Sequence, residues 1–192
     1  MKTGILLLLL GGLLVVGEIE AQELVIHDLS EGERTSALGT DWEGFTDQVM
    51  GGKSTISSRI EPIDDGYALH MSGSVSLENN GGFVQVRLLL VEEGSFDASE
   101  YRGIAVEARG LGDDYYLHLR TPRNLFPWAF YAAPLPVGQE WSRVEVPFSR
   151  FEPKYMIGGG SPNLNRLKSV AVVAAFAEFE ADIWVKRITL YR

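Results

Sequence analysis

Apolar and polar residues alternate along short stretches of this 192-residue chain. From Val144 to Phe148, for example, every second side chain is apolar. This period of two is typical of strands that bury one face. Comparable runs occur at Leu24–Asp28, Thr55–Ile60, Tyr67–Ser72, Phe83–Leu90, Gly103–Arg109, Tyr115–Thr121, Ala129–Ala133, Val170–Phe176 and Ile183–Tyr191. About ten short strands separated by turn-forming residues predict an all-β fold, a two-sheet antiparallel β-sandwich or jelly roll.

Two of these runs depart from simple alternation. The stretch from Val170 to Ala175 is continuously apolar, which predicts a strand buried on both faces or at the centre of the sandwich. In the last run the apolar residues change parity after Val185. An extra residue in one strand restores the pairing after such a change, so we predict a β-bulge near Lys186 and Arg187.

A different pattern precedes the first strand. Lys2 is followed by an apolar stretch, Gly4–Val16, and then by the more polar Gly17–Ala21. An apolar stretch of this length suits a signal peptide, whereas a membrane-spanning helix needs ~20 apolar residues. We expect residues 1–21 to be a cleaved signal peptide and residues 22–192 to form a single domain. The expected location is periplasmic or secreted, and the alternative is an N-terminal membrane anchor.

Charge and composition exclude several classes of protein. The chain has a formal net charge of −9 with scattered basic residues, whereas nucleic-acid binding needs clustered positive charge. It has no cysteine, so no disulfide contributes to its stability. The three histidines lack the spacing of a zinc site and the partners of a catalytic arrangement. We therefore expect no catalytic residue, no resident metal and no cofactor.

Polar side chains share one face of two predicted strands. One strand carries Gln85 and Arg87 on that face, and the other carries Tyr116, His118 and Arg120. If both strands belong to one sheet, these five side chains form a single candidate binding face.

The two arginines of this face allow two interpretations. Guanidinium groups bind carboxylates and planar polar groups, which suits recognition of a peptide or a uronic acid. Alternatively, each arginine pairs with an acid on a neighbouring strand, such as Glu107 or Glu145. His118 by itself is not a catalytic constellation, and we interpret it as an exposed imidazole or one at the rim of the sheet.

Aromatic residues lie close to the predicted ends of strands. Trp128 and Tyr131 follow a loop-like stretch, and Trp42 and Phe45 precede a glycine-rich turn. Such rings stack on sugars or anchor a partner, which makes Trp128 and Tyr131 candidate binding residues. The alternative is that they close the end of the sandwich.

A glycine-rich segment resembles part of a phosphate-binding loop. In Gly51-Gly52-Lys53-Ser54, however, the position that the motif requires to be glycine is Asp47, whose charge repels phosphate. The following residues also predict a strand rather than a helix. We therefore predict structural turns at Asp47, Gly51, Gly52, Ser54, Gly81 and Gly82.

Several motifs, in order, resemble those of the complex I intermediate-associated protein 30 family. They include Val49-Met50-Gly51-Gly52 after Asp47, Leu77–Phe83 followed by Arg87, Tyr101–Ile104, Arg109–Gly112, Leu119–Thr121 after Tyr116, and Val146–Ser149 after Trp141. The similarity runs from about Trp42 to Ile188.

This resemblance implies a galactose-binding-like β jelly roll and a non-enzymatic role like that of the family's assembly factors and chaperones for respiratory complex I. We therefore expect a binding module that contacts another protein, and Asn79 and Asn80 join the candidate binding face. The alternative is a carbohydrate-binding module whose partner is a glycan.

Overall fold

Twelve antiparallel strands form two six-stranded sheets in the computed structural model, which describes residues 23–112, 114–156 and 159–192. The predicted signal peptide lies outside the described residues. The strands are β1 (Leu24–Asp28), β2 (Trp42–Thr46), β3 (Ser57–Ile63), β4 (Gly66–Val75), β5 (Phe83–Leu89), β6 (Gly103–Leu111), β7 (Tyr115–Arg120), β8 (Phe130–Pro134), β9 (Ser142–Pro147), β10 (Glu152–Lys154), β11 (Ser169–Ala175) and β12 (Phe179–Tyr191). In the described part of the chain, no helix is long and apolar enough to cross a membrane.

The strand order defines two sheets. Sheet 1 has the order β3-β4-β12-β6-β9, with β1 paired to the second half of β12. Sheet 2 has the order β10-β8-β7-β11-β5-β2. The predicted all-β sandwich is therefore confirmed, with twelve strands rather than about ten.

The core lies between the sheets and follows from the alternation in the sequence. In β5, Val84, Val86 and Leu88 are fully buried between the sheets, and the side chains between them point to the outer face of sheet 2. Burying such aliphatic side chains contributes roughly 1.5–3 kcal/mol each. The inward face of an alternating strand such as β5 is thus determined by its own apolar positions.

The two irregular runs behave as predicted. All seven residues of β11 are buried, and the strand lies between β7 and β5 in the middle of sheet 2. The pairing of β12 with β6 shifts register between Val185 and Arg187, at the predicted bulge. The sequence pattern missed β2 and β10, the edge strands of sheet 2, because both are short and neither alternates clearly.

Candidate functional site

The carboxylate of Asp47 joins the two glycine-rich segments. Asp47 is fully buried and accepts hydrogen bonds from the backbone N–H groups of Ser54 (3.0 Å), Gly82 (2.6 Å) and Phe83 (3.4 Å), and from the hydroxyl of Ser54. Burial alone would raise the pKa of Asp47, but these hydrogen bonds outweigh it and hold the pKa below the usual value. One carboxylate therefore connects the loop after β2 to the loop before β5.

Close approach to Asp47 explains two of the glycines. A Cβ atom at Gly52 would lie 2.3 Å from the Asp47 carboxyl carbon, and one at Gly81 would lie 2.4 Å from a carboxyl oxygen. Gly51 has a φ of +89°, which favours glycine for a different reason. The side chain of Asn79 adds a hydrogen bond to the carbonyl of Gly51 at 3.2 Å.

A cleft of about 750 Å³ lies on the outer face of sheet 2, beside these loops. Its floor is the central strand β11, which presents the small side chains of Ser169, Ala171 and Ala175. The larger side chains that line it, on the flanking strands and loops, are Phe45, Val49, Met50, Leu77, Phe83, Gln85, Arg87, His118, Arg120, Pro127, Trp128, Phe130, Tyr155 and Phe176. The volume lies within the range of small-molecule binding sites.

Strand register aligns three lining residues in one row. His118 of β7 pairs with Ala171 of β11, and Ala171 pairs with Arg87 of β5. Glu43 of β2 continues the row beyond Arg87. The predicted single face is therefore present, but an alanine separates its two polar halves and leaves space between them.

The guanidinium of Arg87 is only partly engaged. Its Nη2 donates to Glu43 at 2.9 Å, and the group lies over the ring of Phe45, 4.4 Å from the ring centroid. Its Nε is buried and has no hydrogen-bond partner among the residues that the structure describes. Arg87 therefore pairs with an acid on a neighbouring strand, as one of the two interpretations predicted. The acids named for that pairing were wrong, because Glu107 and Glu145 lie on sheet 1.

Arg120 has a structural role in the loop between β7 and β8. It donates to the carbonyl oxygens of Pro127 (2.7 Å), Phe126 (2.9 Å) and Asn124 (3.2 Å). Burial lowers the pKa of Arg120, and the nearby charge of Arg87 lowers it further. The guanidinium of Arg120 thus binds backbone carbonyl oxygens rather than an acid on a neighbouring strand. These hydrogen bonds hold in place the loop that carries Trp128.

His118 is buried, contrary to the expectation of an exposed or rim imidazole. Its side chain is stacked on Phe130, with ring centroids 3.9 Å apart, and only 8% of the residue is exposed. Burial lowers its pKa to about 3, so the imidazole is uncharged at neutral pH. His118 lines the cleft, but its Nε2 is buried and has no hydrogen-bond partner in the described part of the chain.

The remaining candidates divide between the cleft and other places. Gln85 and Trp128 line the cleft, whereas Tyr116 lies on the same face and packs edge-on against Phe176. Tyr131 does not belong to the face, because its parity in β8 points it into the core, where it is 1% exposed. The side chain of Asn80 lies outside the described part of the structure.

Several lining residues were not singled out as site residues. Tyr155 follows the short strand β10, and Phe176 follows β11 with a φ of +73°. Tyr155 belongs to no predicted run. Phe176 ends the run Val170–Phe176, whose continuous apolar pattern does not show which side chains face outward.

Two lining residues had a local sequence signal but were not assigned to the binding face. Phe45 is an aromatic close to the glycine-rich turn, and Phe83 has the same parity as Gln85 and Arg87 in the predicted strand.

Metal-ligating groups do not gather at this cleft. Within the described ranges, no group of three or more His, Cys, Asp or Glu side chains is arranged to hold a metal ion.

Comparison with solved structures defines the class of fold. A family 11 carbohydrate-binding module of a cellulosomal cellulase of Clostridium thermocellum has a TM-score of 0.68 at 16% identity, over 89% of this chain and 95% of that chain. A family 11 module of the same organism in complex with a β-1,3-1,4-mixed-linked tetrasaccharide has a TM-score of 0.65 at 15% identity, over 88% and 95%. At these identities the similarity establishes the fold alone, that of a jelly-roll module.

The particular family follows from sequence. The model of the Complex I intermediate-associated protein 30 family matches residues 32–175, which is most of the chain, so this protein belongs to that family. The resemblance drawn from the glycine motifs is thereby confirmed. No curated protein sequence gives a significant match.

Proposed function

We propose that this protein is a non-catalytic module that binds a glycan chain in the cleft of sheet 2. The observation that carries the proposal is the cleft itself, which combines a floor of small side chains, exposed aromatic rings and polar side chains such as that of Gln85. Stacking on sugar rings and hydrogen bonding to hydroxyl groups require this combination of side chains.

The shape of the cleft suits an extended ligand. Lining residues run from Ser169 at one end of β11 to Ala175 at the other, and a strand of that length spans roughly 20 Å. The side chains on β5 and β7 form walls on either side. A chain of several sugar rings fits along such a groove, whereas the flat surface of a folded protein does not enter it.

Exposed aromatic rings lie at one end of the groove. Tyr155 is 67% exposed and Trp128 is 48% exposed, and Trp128 stacks on Phe126 with ring centroids 5.2 Å apart. Rings that are held by a neighbour lose little conformational entropy on binding, which favours them as platforms for a ligand. The fold shared with carbohydrate-binding modules supports the same interpretation.

A protein segment is a second candidate ligand. The other end of the cleft carries exposed apolar side chains, namely those of Val49, Met50, Leu77 and Phe176. Exposed apolar patches of this kind mark interaction surfaces. This end favours the protein-binding, assembly-factor role suggested by the family's name.

We further propose that the protein is exported, because residues 1–21 have the pattern of a signal peptide and an exported module meets glycans outside the cytoplasm. N-terminal sequencing of the purified protein tests this. A mature chain that begins at Gln22 supports export, and an intact Met1 contradicts it.

A glycan array followed by calorimetric titration tests the binding function. We expect Trp128→Ala with Tyr155→Ala to weaken binding of the best array ligand at least ~tenfold, in line with the loss of stacking contacts. The matched control is Tyr67→Ala, which removes an exposed aromatic ring from sheet 1 and leaves affinity unchanged.

Two results would contradict the glycan proposal. One is an array on which no glycan binds at high micromolar protein concentration. The other is capture of a protein that is lost in a Val49→Ser and Met50→Ser variant but retained in the Trp128 and Tyr155 variant, which favours the second candidate.

A further inference from the structure

Positive charge is concentrated in the cleft of sheet 2. The charged side chains that line it are Arg87 and Arg120, and no acidic side chain of the described residues lines it. The chain as a whole has a formal net charge of −9. A cleft that carries one sign of charge between less polar walls focuses the electric field and attracts ligands of the opposite sign. The cleft therefore favours an anionic group although the protein is acidic.

The strand register places the two arginines on opposite walls of the groove. Arg87 of β5 pairs with Ala171 of β11, and Arg120 of β7 pairs with Ser169 of the same central strand. The arginines are two strand spacings apart across the groove and two residues apart along it, which separates their backbones by roughly 12 Å. The floor between them consists of the small side chains of Ser169 and Ala171. A ligand group of a few atoms fits on this floor.

The two guanidinium groups are close enough to influence each other. Burial lowers the pKa of Arg120, and the charge of Arg87 lowers it further. Like charges at such a distance repel each other, and an anion placed between them attracts both. Binding of an anionic group therefore relieves a repulsion that is present in the protein without ligand.

The protein itself compensates these charges incompletely. Glu43 accepts a hydrogen bond from Nη2 of Arg87 at 2.9 Å, but it lies outside the cleft lining and its side chain is 55% exposed. Exposed ion pairs of this kind contribute little. Arg120 donates to three carbonyl oxygens, which carry no net charge. Among the contacts in the described part of the chain, one carboxylate thus faces two guanidinium groups.

Both guanidinium groups are oriented and keep N–H groups for a ligand. The ring of Phe45 supports Arg87, and the loop carbonyls hold Arg120. Nη1 of Arg87 and Nε of Arg120 make no hydrogen bond to a described residue, and neither is one of the buried unpaired atoms. Guanidinium N–H groups donate to carboxylate and other anionic oxygens, and donors held in place lose little entropy on binding.

We propose that the cleft selects an acidic glycan, whose anionic group lies over Ser169 and Ala171 between Arg87 and Arg120. The shared chemistry is a group of anionic oxygens on a sugar ring, which a uronic acid supplies as a carboxylate and a sulfated sugar as a sulfate ester. This inference rests on the proposed glycan-binding function and specifies the chemical class of its ligand.

Calorimetric titration with matched pairs of probes tests the selection. One pair is oligogalacturonate and its methyl ester, which keeps the sugar chain and removes the charge. The other pair is a sulfated galactan oligosaccharide and its desulfated form. We expect the charged member of at least one pair to bind at least ~tenfold more tightly than its neutral counterpart. The pair that shows this difference identifies the anionic group as a carboxylate or a sulfate.

A variant of Arg87 tests the position of the charge. Arg87→Gln removes one of the two charges that line the cleft, and we expect the preference for the charged probe to fall at least ~tenfold. Arg59→Gln is the matched control, because it changes the net charge equally on the exposed edge strand of sheet 1. This control is expected to keep the preference of the wild type.

A variant of Glu43 makes the opposite prediction. Glu43→Gln removes the carboxylate that compensates Arg87, so we expect the charged probe to bind ~threefold or more tightly than it binds the wild type. Glu100→Gln, which removes an exposed acid paired with Arg192 outside the cleft lining, is the control and leaves the affinity unchanged. A purely structural role of Arg87 predicts no gain, and this test does not depend on the folding of Arg87→Gln.

The outcomes distinguish this inference from the function on which it rests. Equal or tighter binding of the neutral member in both pairs overturns the inference and leaves glycan binding intact. An unchanged preference in Arg87→Gln, or no gain in Glu43→Gln, also overturns it. Binding of no probe of either kind, together with an empty glycan array, overturns both.

Discussion

The outer faces of the two sheets carry similar side chains, yet the large cleft lies on sheet 2. Across sheet 1 the strand register aligns Arg59, His70, Trp184 and Arg109 in one row. The ring of Trp141, just before β9, lies next to this row, with its centroid 5.0 Å from the guanidinium of Arg109. Across sheet 2 the comparable row is Ala132, His118, Ala171, Arg87 and Glu43. Each row contains histidine and arginine, but the residue on the central strand differs.

On sheet 1 the side chains satisfy one another. Trp184 stacks on His70 with ring centroids 3.9 Å apart, and the guanidinium of Arg109 lies 5.5 Å from the centroid of Trp184. The two ring nitrogens of His70 face carboxylate oxygens of Asp182 (2.9 Å) and Glu61 (3.2 Å). The smaller depression beside this row measures about 240 Å³.

On sheet 2 the small central residue prevents this closure. Ala171 leaves a gap between His118 and Arg87, and each of these keeps one nitrogen without a partner. The residue at one position on the central strand therefore accounts for the difference. With tryptophan there, the side chains of sheet 1 contact one another, whereas alanine there leaves a cleft on sheet 2 that is open to a ligand.

The largest expected effect concerns the loops that border the cleft. In Gly52→Ala the new Cβ would collide with Asp47, so we expect a loss of ~3 kcal/mol or more in the free energy of unfolding. Urea denaturation measures this loss. The matched control is Gly138→Ala, where a Cβ meets no atom within 4 Å. Equal stability of the two variants would refute the role of close packing at Asp47.

Filling the floor of the cleft directly tests whether the small central residue of sheet 2 keeps the cleft open. Ala171→Leu places a branched side chain between His118 and Arg87, and we expect glycan binding to weaken about a hundredfold by steric exclusion. Calorimetric titration measures this change. Near-ultraviolet circular dichroism verifies the fold, and overpacking of the strand is expected to cost ~1–3 kcal/mol.

Two controls bracket that result. Ala171→Ser keeps the floor small and is expected to retain binding. Trp184→Ala opens the corresponding row on sheet 1 and is expected to leave glycan affinity unchanged. If Trp184→Ala weakens binding as much as Ala171→Leu does, the ligand site does not belong to sheet 2.

A smaller effect concerns acid stability. Because the pKa of Asp47 is lowered in the folded protein, its contribution to stability is fully present above about pH 4 and is lost as the pH falls through the lowered pKa. At neutral pH we expect Asp47→Asn to cost ~2 kcal/mol, because both carboxylate oxygens accept hydrogen bonds, whereas an amide has one acceptor oxygen and places an NH2 donor at the other position.

Urea denaturation between neutral pH and pH 3 measures the difference between wild type and Asp47→Asn. We expect this difference to shrink as the pH falls, while the other carboxyl groups titrate equally in both proteins. A difference that stays constant with pH would show that the charge of Asp47 is not what stabilises the loops.

Local patterns predicted much of the fold. The parity of Val84 and Val86 identified the inward face of β5, and the continuous apolar run of β11 predicted its place at the centre of a sheet. The glycine motifs around Asp47 identified the family. Each of these features depends on residues that are near one another in the chain.

Lateral contacts were not predicted in the same way. Glu43 lies beside Arg87 although 44 residues separate them in sequence, and Phe130 covers His118 from the next strand of the sheet. Tyr131 was chosen as an aromatic that follows a loop-like stretch. The predicted run Ala129–Ala133 is apolar throughout, so its pattern did not show that Tyr131 points into the core. The alternation within one strand does not show which side chain of the neighbouring strand lies beside a given residue.

The sequence by itself determined ten of the twelve strands, the buried face of most of them and the family. Only the tertiary structure decided that Ala171 lies between His118 and Arg87, and that Asp47 ties two distant loops beside the same groove. The physical reason is that alternation is a local property of the backbone. Strand order and register depend instead on long-range closure of the whole sandwich.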